Sequence, residues 1–249
     1  MTSESAGLLS GPALPESNLL QRQAEWLAPA RAELLRRAHI ARRRHVLDLG
    51  SGYGAVMPEL ARRAGGHVIA LDRVWEALRM QPRLARTGQV AADALRLPFR
   101  SATLDLVFSQ VTLLWVAPLA TAIAEAWRVL MPGGVLIALE PDYGGMMESP
   151  PEVSTRSLWL TGLQRAGADP YVGRKLPGVL ARQGFRVNVS LFDTLFEAEA
   201  TRFAFLRDLP LSEDERRQLE ASERMAEASV GSWQQIAHLP LFLVRATKP

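Results

Sequence analysis

Apolar residues recur at helical spacing early in the chain. Leu19, Leu20, Trp26, Leu27, Leu34, Leu35 and Ile40 mark one face across Asn18 to Ala41. Pro29 interrupts that stretch, which predicts two helices or one kinked helix. The period then switches back and forth. His45–Leu49 reads as a short apolar strand, Ala55–Ala64 as a helix and His67–Leu71 as a second strand. Val74–Ala85 reads as a helix, and Gln89–Ala92 and Leu104–Phe108 as strands three and four. Leu119–Leu130 is an amphipathic helix and Val135–Leu139 a fifth strand. Beyond it, Pro151–Ala166 and Gly173–Gln183 read as helices, the second closed by Gly184, and Phe185–Leu191 alternates like a strand. Thr201–Leu209 and Ser212–Ala228 read as helices, with Ser212 and Glu215 spaced as a capping box, and Leu239–Ala246 as a last strand.

Strands alternating with helices predict an α/β fold with a Rossmann-like, doubly wound, mostly parallel sheet of about seven strands. Continuous apolar segments such as Val46-Leu47 and Val135–Leu139 suit strands covered on both faces. The expected organisation is a flexible tail at 1–17, rich in Ser, Gly and Pro, and a single domain at 18–249. Within it, 18–44 forms N-terminal covering helices and 45–142 the core. Residues 143–249 form a second half, with a helical insertion at about 195–238 before the last strand.

Composition narrows the chemistry. The 249 residues contain no cysteine, which removes disulfides, thiolate metal ligands and a Cys nucleophile. His39, His45, His67 and His238 are scattered without metal-pair spacing, so no metal is expected. The formal net charge is +3 despite a sequence pI of about 9.8. The densest basic run, Arg42-Arg43-Arg44, has no interleaved aromatics and reads as a solvated strand entrance, which argues against a nucleic-acid partner. The start of the chain lacks a basic-then-apolar leader pattern and no stretch is apolar enough to span a bilayer, which predicts a cytoplasmic protein.

The chemistry concentrates at Val46-Leu47-Asp48-Leu49-Gly50-Ser51-Gly52-Tyr53-Gly54, a buried strand running into a glycine-rich turn. Glycines permit positive φ there and let backbone approach a ligand closely, with amides at a helix N-terminus. Gly50 to Ala55 also fits the loose dinucleotide pattern, so a nicotinamide-dependent oxidoreductase is the competing enzyme reading. Asp48 separates the two. A carboxylate before the first glycine repels a pyrophosphate and welcomes a ligand carrying an ammonium and a sulfonium.

Asp48-x-Gly50-x-Gly52-x-Gly54 resembles the first motif of the class I S-adenosylmethionine-dependent methyltransferases, and the chain is most similar to the UbiE-like, methyltransferase type 11 group. Later segments resemble that family in order. They are Asp72 at the end of strand two, Asp93-Ala94, Leu104 to Ser109, and Ala126 to Gly134, where Gly133 is placed as a left-handed helix exit. The resemblance is strong over 45–142 and weaker over 167–185. It implies S-adenosyl-L-methionine as cofactor and an in-line methyl transfer to a small-molecule acceptor, by O-, N- or C-methylation. It also implies roles. Asp48 takes the methionine ammonium, and the backbone of Gly50, Ser51 and Gly52 wraps the methionine part. Asp72 accepts the ribose hydroxyls, Arg73 lies along the adenine, and Asp93 and Ala94 read its edge. Ser109 and Gln110 lie near the methyl, and Gly54 serves helix–strand packing.

No fixed catalytic residue is needed where the cofactor carries the hard chemistry and proximity does the rest. Asp142 and Tyr143, after strand five with Glu140, are the candidates to orient or deprotonate a substrate. Trp26, Trp115, Trp159 and Trp233 are either pocket walls or core aromatics. The stretch Gln110 to Trp115 lacks the His pair frequent in relatives, which argues against His-assisted proton abstraction there. A cofactor-binding, non-catalytic partner protein is a further alternative. An RNA methyltransferase is disfavoured by the absence of an Asn/Asp-Pro-Pro clamp and of a basic appended domain.

Overall fold

The computed structural model describes residues 14–192, 194–195, 197–198, 201–228, 231 and 233–249. Most of the tail at 1–17 and part of the 195–238 insertion therefore lie outside the described residues. Seven strands form one sheet in the order β3-β2-β1-β4-β5-β9-β7. They are β1 (His45–Leu49), β2 (His67–Asp72), β3 (Thr87–Ala91), β4 (Leu104–Gln110), β5 (Leu130–Pro141), β7 (Arg186–Leu191) and β9 (Leu241–Thr247). β1, β2, β3, β4 and β5 pair in parallel, and β9 runs antiparallel between β5 and β7. The strand order reverses between β1 and β4. In open α/β sheets a ligand crevice forms at the carboxyl ends of the strands flanking such a point.

Helices cover both faces, as doubly apolar strands require. Val46 and Leu47 are both fully buried but serve different cores. Leu47 and Leu49 pack with Val107, Leu136, Ile123 and Leu176. Val46 packs with Leu35, Leu60, Phe108 and Ile137. The helices include α1 (Ser17–Trp26), α2 (Ala28–Arg37), α3 (Met57–Arg63), α4 (Trp75–Met80) and α5 (Leu119–Val129). α6 (Arg156–Arg165), α7 (Val172–Gln183), α8 (Thr201–Arg207) and α9 (Glu213–Ala228) follow. Pro29 sits in the first turn of α2, where its missing N–H costs nothing, so it begins the second helix of the predicted pair.

Several boundaries differ from the sequence pattern for local reasons. α4 stops at Met80 because Gln81 precedes Pro82, and the residue before proline avoids the helical region. α6 begins at Arg156, not Pro151. Glu148 sets that start, accepting from the amides of Thr155 and Arg156 and from both hydroxyls of Ser154 and Thr155. Gly133 has positive φ, but not as a helix exit: α5 runs straight into β5, and Gly133 sits in the irregular start of that strand. Its amide donates to the Lys248 carbonyl at 2.9 Å. A small second sheet, β6 (Met147–Ser149) with β8 (Ile236–His238), has strands too short to register in a period-2 scan. Ser212 and Glu215 do form the reciprocal capping box at the start of α9. In the Arg42–Arg44 run, Arg43 turns inward, donating from Nε to the Ala38 carbonyl at 2.9 Å.

Two buried charged groups hold the crevice together. Arg31 on α2 is 4% exposed. Its Nε donates to Glu59 Oε2 at 2.7 Å, and its Nη1 to the Ala24 carbonyl at 2.8 Å and Gln110 Oε1 at 2.9 Å. One guanidinium thus ties α1, α2 and α3 to the end of β4. Glu140, wholly buried in β5, accepts through Oε1 from the Ser109 hydroxyl at 3.2 Å and the amides of Thr112 and Leu113 at 3.2 and 3.0 Å. It fastens the loop after β4. Burial raises its pKa from 4.5 to about 7 despite those bonds.

Replacing Arg31 with Met should lower unfolding free energy by about 3 kcal/mol, the low end for breaking a buried pair, because Glu59 keeps Arg63 at 2.9 Å. An unchanged urea midpoint would contradict this. Glu140 binds its proton more tightly folded than unfolded, so its share of stability is present below about pH 4.5 and lost as pH rises to about 7. Glu140→Gln keeps the acceptor oxygen and should remove on the order of 3 kcal/mol of that decline. Parallel stability–pH curves for the two proteins would count against it.

Candidate active site

One cavity of about 1030 Å³ opens at the reversal of strand order. Its floor is the end of β1 and the glycine loop. Gly50 has φ of 77°, and a Cβ there would lie 2.1 Å from Thr112 Cγ2, so only glycine fits between the loop and the chain after β4. Gly54, at φ 79°, lies against the Gln81 side chain rather than in the cavity. That side chain holds the loop from below, donating from Nε2 to Ser51 Oγ at 3.0 Å and the Gly52 carbonyl at 2.7 Å.

The amides of Gly50, Ser51, Gly52 and Gly54 are spent within the protein. Those of Gly50 and Ser51 donate to the Leu71 carbonyl, that of Gly52 to Asp72 Oδ2 at 2.8 Å, and that of Gly54 to the Ser51 carbonyl. α3 starts only at Met57. The expected set of free amides at a helix N-terminus is therefore absent from Gly50, Ser51, Gly52 and Gly54. A phosphate-binding loop depends on such donors.

What the floor offers instead is negative charge. Asp48 is 3% exposed, lines the cavity, and its Oδ2 is buried with no hydrogen-bond partner. Desolvation is the main cause that raises its pKa to about 7. The nearby Asp72 pushes the same way, and Arg31 pulls it back. Asp72, at the end of β2, uses Oδ1 for the Val74 amide at 2.9 Å and Oδ2 for Gly52, so each oxygen keeps one lone pair for a ligand. Arg73 follows it on the wall. Asp93 and Ala94 also line the cavity, and Asp93 Oδ1 accepts from the Leu95 amide at 2.8 Å. Gln110 lines it too, held by Arg31.

Two expected site residues are placed elsewhere. Ser109 is fully buried beneath the floor, and its hydroxyl donates to Glu140. Its position in β4 points it away from the cavity that its neighbour Gln110 reaches, as alternation in a strand requires. Asp142 is also outside, and its Oδ2 is held by Arg174 at 2.6 Å from Nη2 and 2.8 Å from Nε. Tyr143 does line the cavity, stacked on Trp159 with ring centroids 4.7 Å apart. Burial and the Glu140 charge push its phenol well above the usual range, so it can donate a hydrogen bond but not serve as a base at neutral pH. Trp26 and Trp115 are wall residues as well, whereas Trp233 is 54% exposed and is not.

Sequence reasoning missed Arg31, Gln81 and Thr112, but it expected covering segments at 18–44 and at about 195–238. Leu14, Pro15 and Leu20 reach over the loop from the N-terminal side, α8 contributes Arg202 and Phe205, and Leu209 follows just beyond it. His238 on β8 lines the same region, and burial lowers its pKa, leaving it neutral at pH 7. Among the described residues no group of acids and histidines is placed to hold a metal, and no helix is long and apolar enough to cross a membrane.

Comparison with known proteins matches this geometry. Residues 47–138 match the family model described as a methyltransferase domain. The chain is 35% identical over 108 residues to a malonyl-[acyl-carrier protein] O-methyltransferase of Marinomonas sp., covering 41% of this chain and 40% of that protein. It is 37% identical over 121 residues to a demethylmenaquinone methyltransferase of Deinococcus radiodurans, covering 46% and 48%. The match thus spans less than half the length of these curated relatives. Among solved structures, an S-adenosylmethionine dependent methyltransferase from Mesorhizobium loti superposes with a TM-score of 0.57 at 18% identity, over 90% of this chain and 97% of that one. The YcgJ protein of Bacillus subtilis superposes at 0.66 with 12% identity, over 89% and 98%. Those identities bear on the fold, and the sequence match bears on the strand, loop and Asp ends that build the cavity floor. Residues 47–138 thus match a methyltransferase domain, and the chain has the Rossmann-like fold of solved S-adenosylmethionine-dependent methyltransferases.

Proposed function

We propose that the chain transfers a methyl group from S-adenosyl-L-methionine to a small-molecule acceptor held under the α8 roof. The observation that carries this reading is Asp48 Oδ2, a buried carboxylate oxygen with no partner, at the floor of a glycine cradle whose amides are already used. Such a site lacks a counter-ion, and a ligand with an ammonium and a sulfonium supplies it. A pyrophosphate finds the Gly50, Ser51 and Gly52 amides already used and a carboxylate facing it, which is why the nicotinamide reading is not favoured.

When bound, the cofactor supplies an electrophilic methyl on a sulfonium centre. The chain's own residues then have positioning to do. Asp48 takes the ammonium, and Gly50, Ser51 and Gly52 let the backbone close around the methionine part. Asp72 accepts from the ribose with the lone pairs left by Gly52 and Val74, with Arg73 beside the base and Asp93 and Ala94 at its edge. Gln110, fixed by Arg31, borders the place where the two ligands meet. Leu14, Leu20 and Trp26 exclude water from above. With the donor already activated, orientation in a dry cavity supplies most of the acceleration. The demethylmenaquinone and malonyl-carrier relatives act on acceptors of different chemistry, so the acceptor atom is set by the second half of the chain, outside the matched segment.

The test is calorimetric titration of wild type, Asp48→Ala and Asp72→Ala with S-adenosylhomocysteine and with NADH. Wild type should bind S-adenosylhomocysteine and not NADH. Each variant should weaken it by about ten-fold or more, the cost of one charge-assisted hydrogen bond. Binding of NADH instead, or unchanged affinity in both variants, would remove the proposal.

A further inference from the structure

The cavity's buried polar atoms differ in kind between its two halves. Over the glycine loop the unpartnered atom is an acceptor, Oδ2 of Asp48. In the other half the unpartnered buried atoms on lining residues are both donors, Nε of Arg202 and Nε1 of Trp159. Trp159 is 8% exposed, on α6, and Arg202 opens the cavity face of α8, with Phe205 following at helical spacing. The two helices pack together. Native proteins rarely leave two buried N–H groups unpaired in one wall without a ligand to receive them.

Charge points the same way. Arg202 spends one nitrogen on Gln235 Oε1 at 2.8 Å and lies 4.6 Å over the Phe203 ring. Among the described residues no carboxylate is in ion-pair contact with it. Glu148 is the acid whose field reaches it, but that carboxylate already accepts from Ser154, Thr155 and Arg156. Glu16, Glu197 and Asp208 also border the cavity, but all three are solvent-exposed, where their charge is screened. His238 is neutral. A buried guanidinium Nε and a buried indole N–H on two packed helices of one cavity, among Tyr143, Met146, Leu163 and Phe205, match an oxyanion carried on an apolar body.

We propose that this half of the cavity is an anion site, in which Arg202 and Trp159 hold a carboxylate or phosphate group of the methyl acceptor. The inference rests on reading the cavity as a methyl-transfer site, and it names the acceptor class: an amphiphilic organic acid, oriented by its charged end with its apolar part along Tyr143 and Phe205.

The experiment measures matched acids and neutral analogues by calorimetry on the full chain, with and without saturating S-adenosylhomocysteine. The probes are phenylacetate against phenylacetamide, octanoate against octanamide, and phenyl phosphate against phenol. The best acid should bind wild type about ten- to a hundred-fold more tightly than its neutral partner, as a charge-assisted contact gives. Carboxylate and phosphate probes then separate the two sources of the oxyanion. Arg202→Gln should reduce the ratio to about two-fold or less, Arg202→Lys should restore part of it, and Trp159→Phe should lower acid affinity by several-fold. S-adenosylhomocysteine affinity should stay within about two-fold in all three variants, which reports that they fold. Neutral probes binding as well as the acids, no acid binding, or a ratio that survives Arg202→Gln would each overturn the proposal. If wild type fails to bind S-adenosylhomocysteine, the methyl-transfer reading fails separately, while the acid-to-amide ratio measured without it still decides the anion site.

Discussion

A carboxylate out of contact with water needs a counter-charge, hydrogen bonds or a proton. Asp48 has none of the first two in full. It sits at the end of β1 beside the field of Asp72, and only Arg31, reaching in from α2, opposes the repulsion. The surrounding structure is arranged around that deficit. Asp72 next door accepts from the Gly52 and Val74 amides. The glycine loop is pinned by Leu71, Gln81 and Thr112, so it cannot collapse onto the vacant oxygen. Arg31 anchors the covering helices at the same point where it tempers Asp48, so the lid and the charge of the floor are linked through one side chain.

Glu140 plays the matching part on the other side of the strand-order reversal. Its wholly buried carboxyl organises the loop after β4, from Thr112 to Leu113, whose far side lines the cavity. The floor and one wall are therefore each built on an acid kept partly protonated near neutral pH by burial. The difference is access. Glu140 is sealed within the protein, and Asp48 faces the ligand space. Perturbed acids of this kind mark functional sites when they face a cavity and structural fastenings when they do not.

The alternation of strands and helices was legible because central strands such as β1 and β4 are short, mostly apolar and buried on both faces, and Asp48, Asp72 and Asp93 were legible as cavity-lining positions because they lie at or just past the carboxyl ends of strands. Ser109 misled because a strand residue next to a cavity residue points the other way, and the phase of β4 is not apparent when it is buried on both faces. Asp142 misled because its partner Arg174 lies on α7, far along the chain, and no local pattern couples them. Arg31, Gln81 and Arg202 carried no signal for the same reason: each is an ordinary polar residue on or next to a helix whose partners are set by tertiary packing. The β6–β8 pair has strands of 3 residues, below what periodicity resolves.

Asp48 must be ionised to receive a cationic ligand. Proton release measures it directly: titration of S-adenosylhomocysteine at pH 6 in buffers of different ionisation enthalpy. With the Asp48 pKa at about 7 in the free protein, binding should release close to one proton at that pH, and Asp48→Asn should release almost none. Binding without proton release in wild type, or the same release in both proteins, would contradict the account.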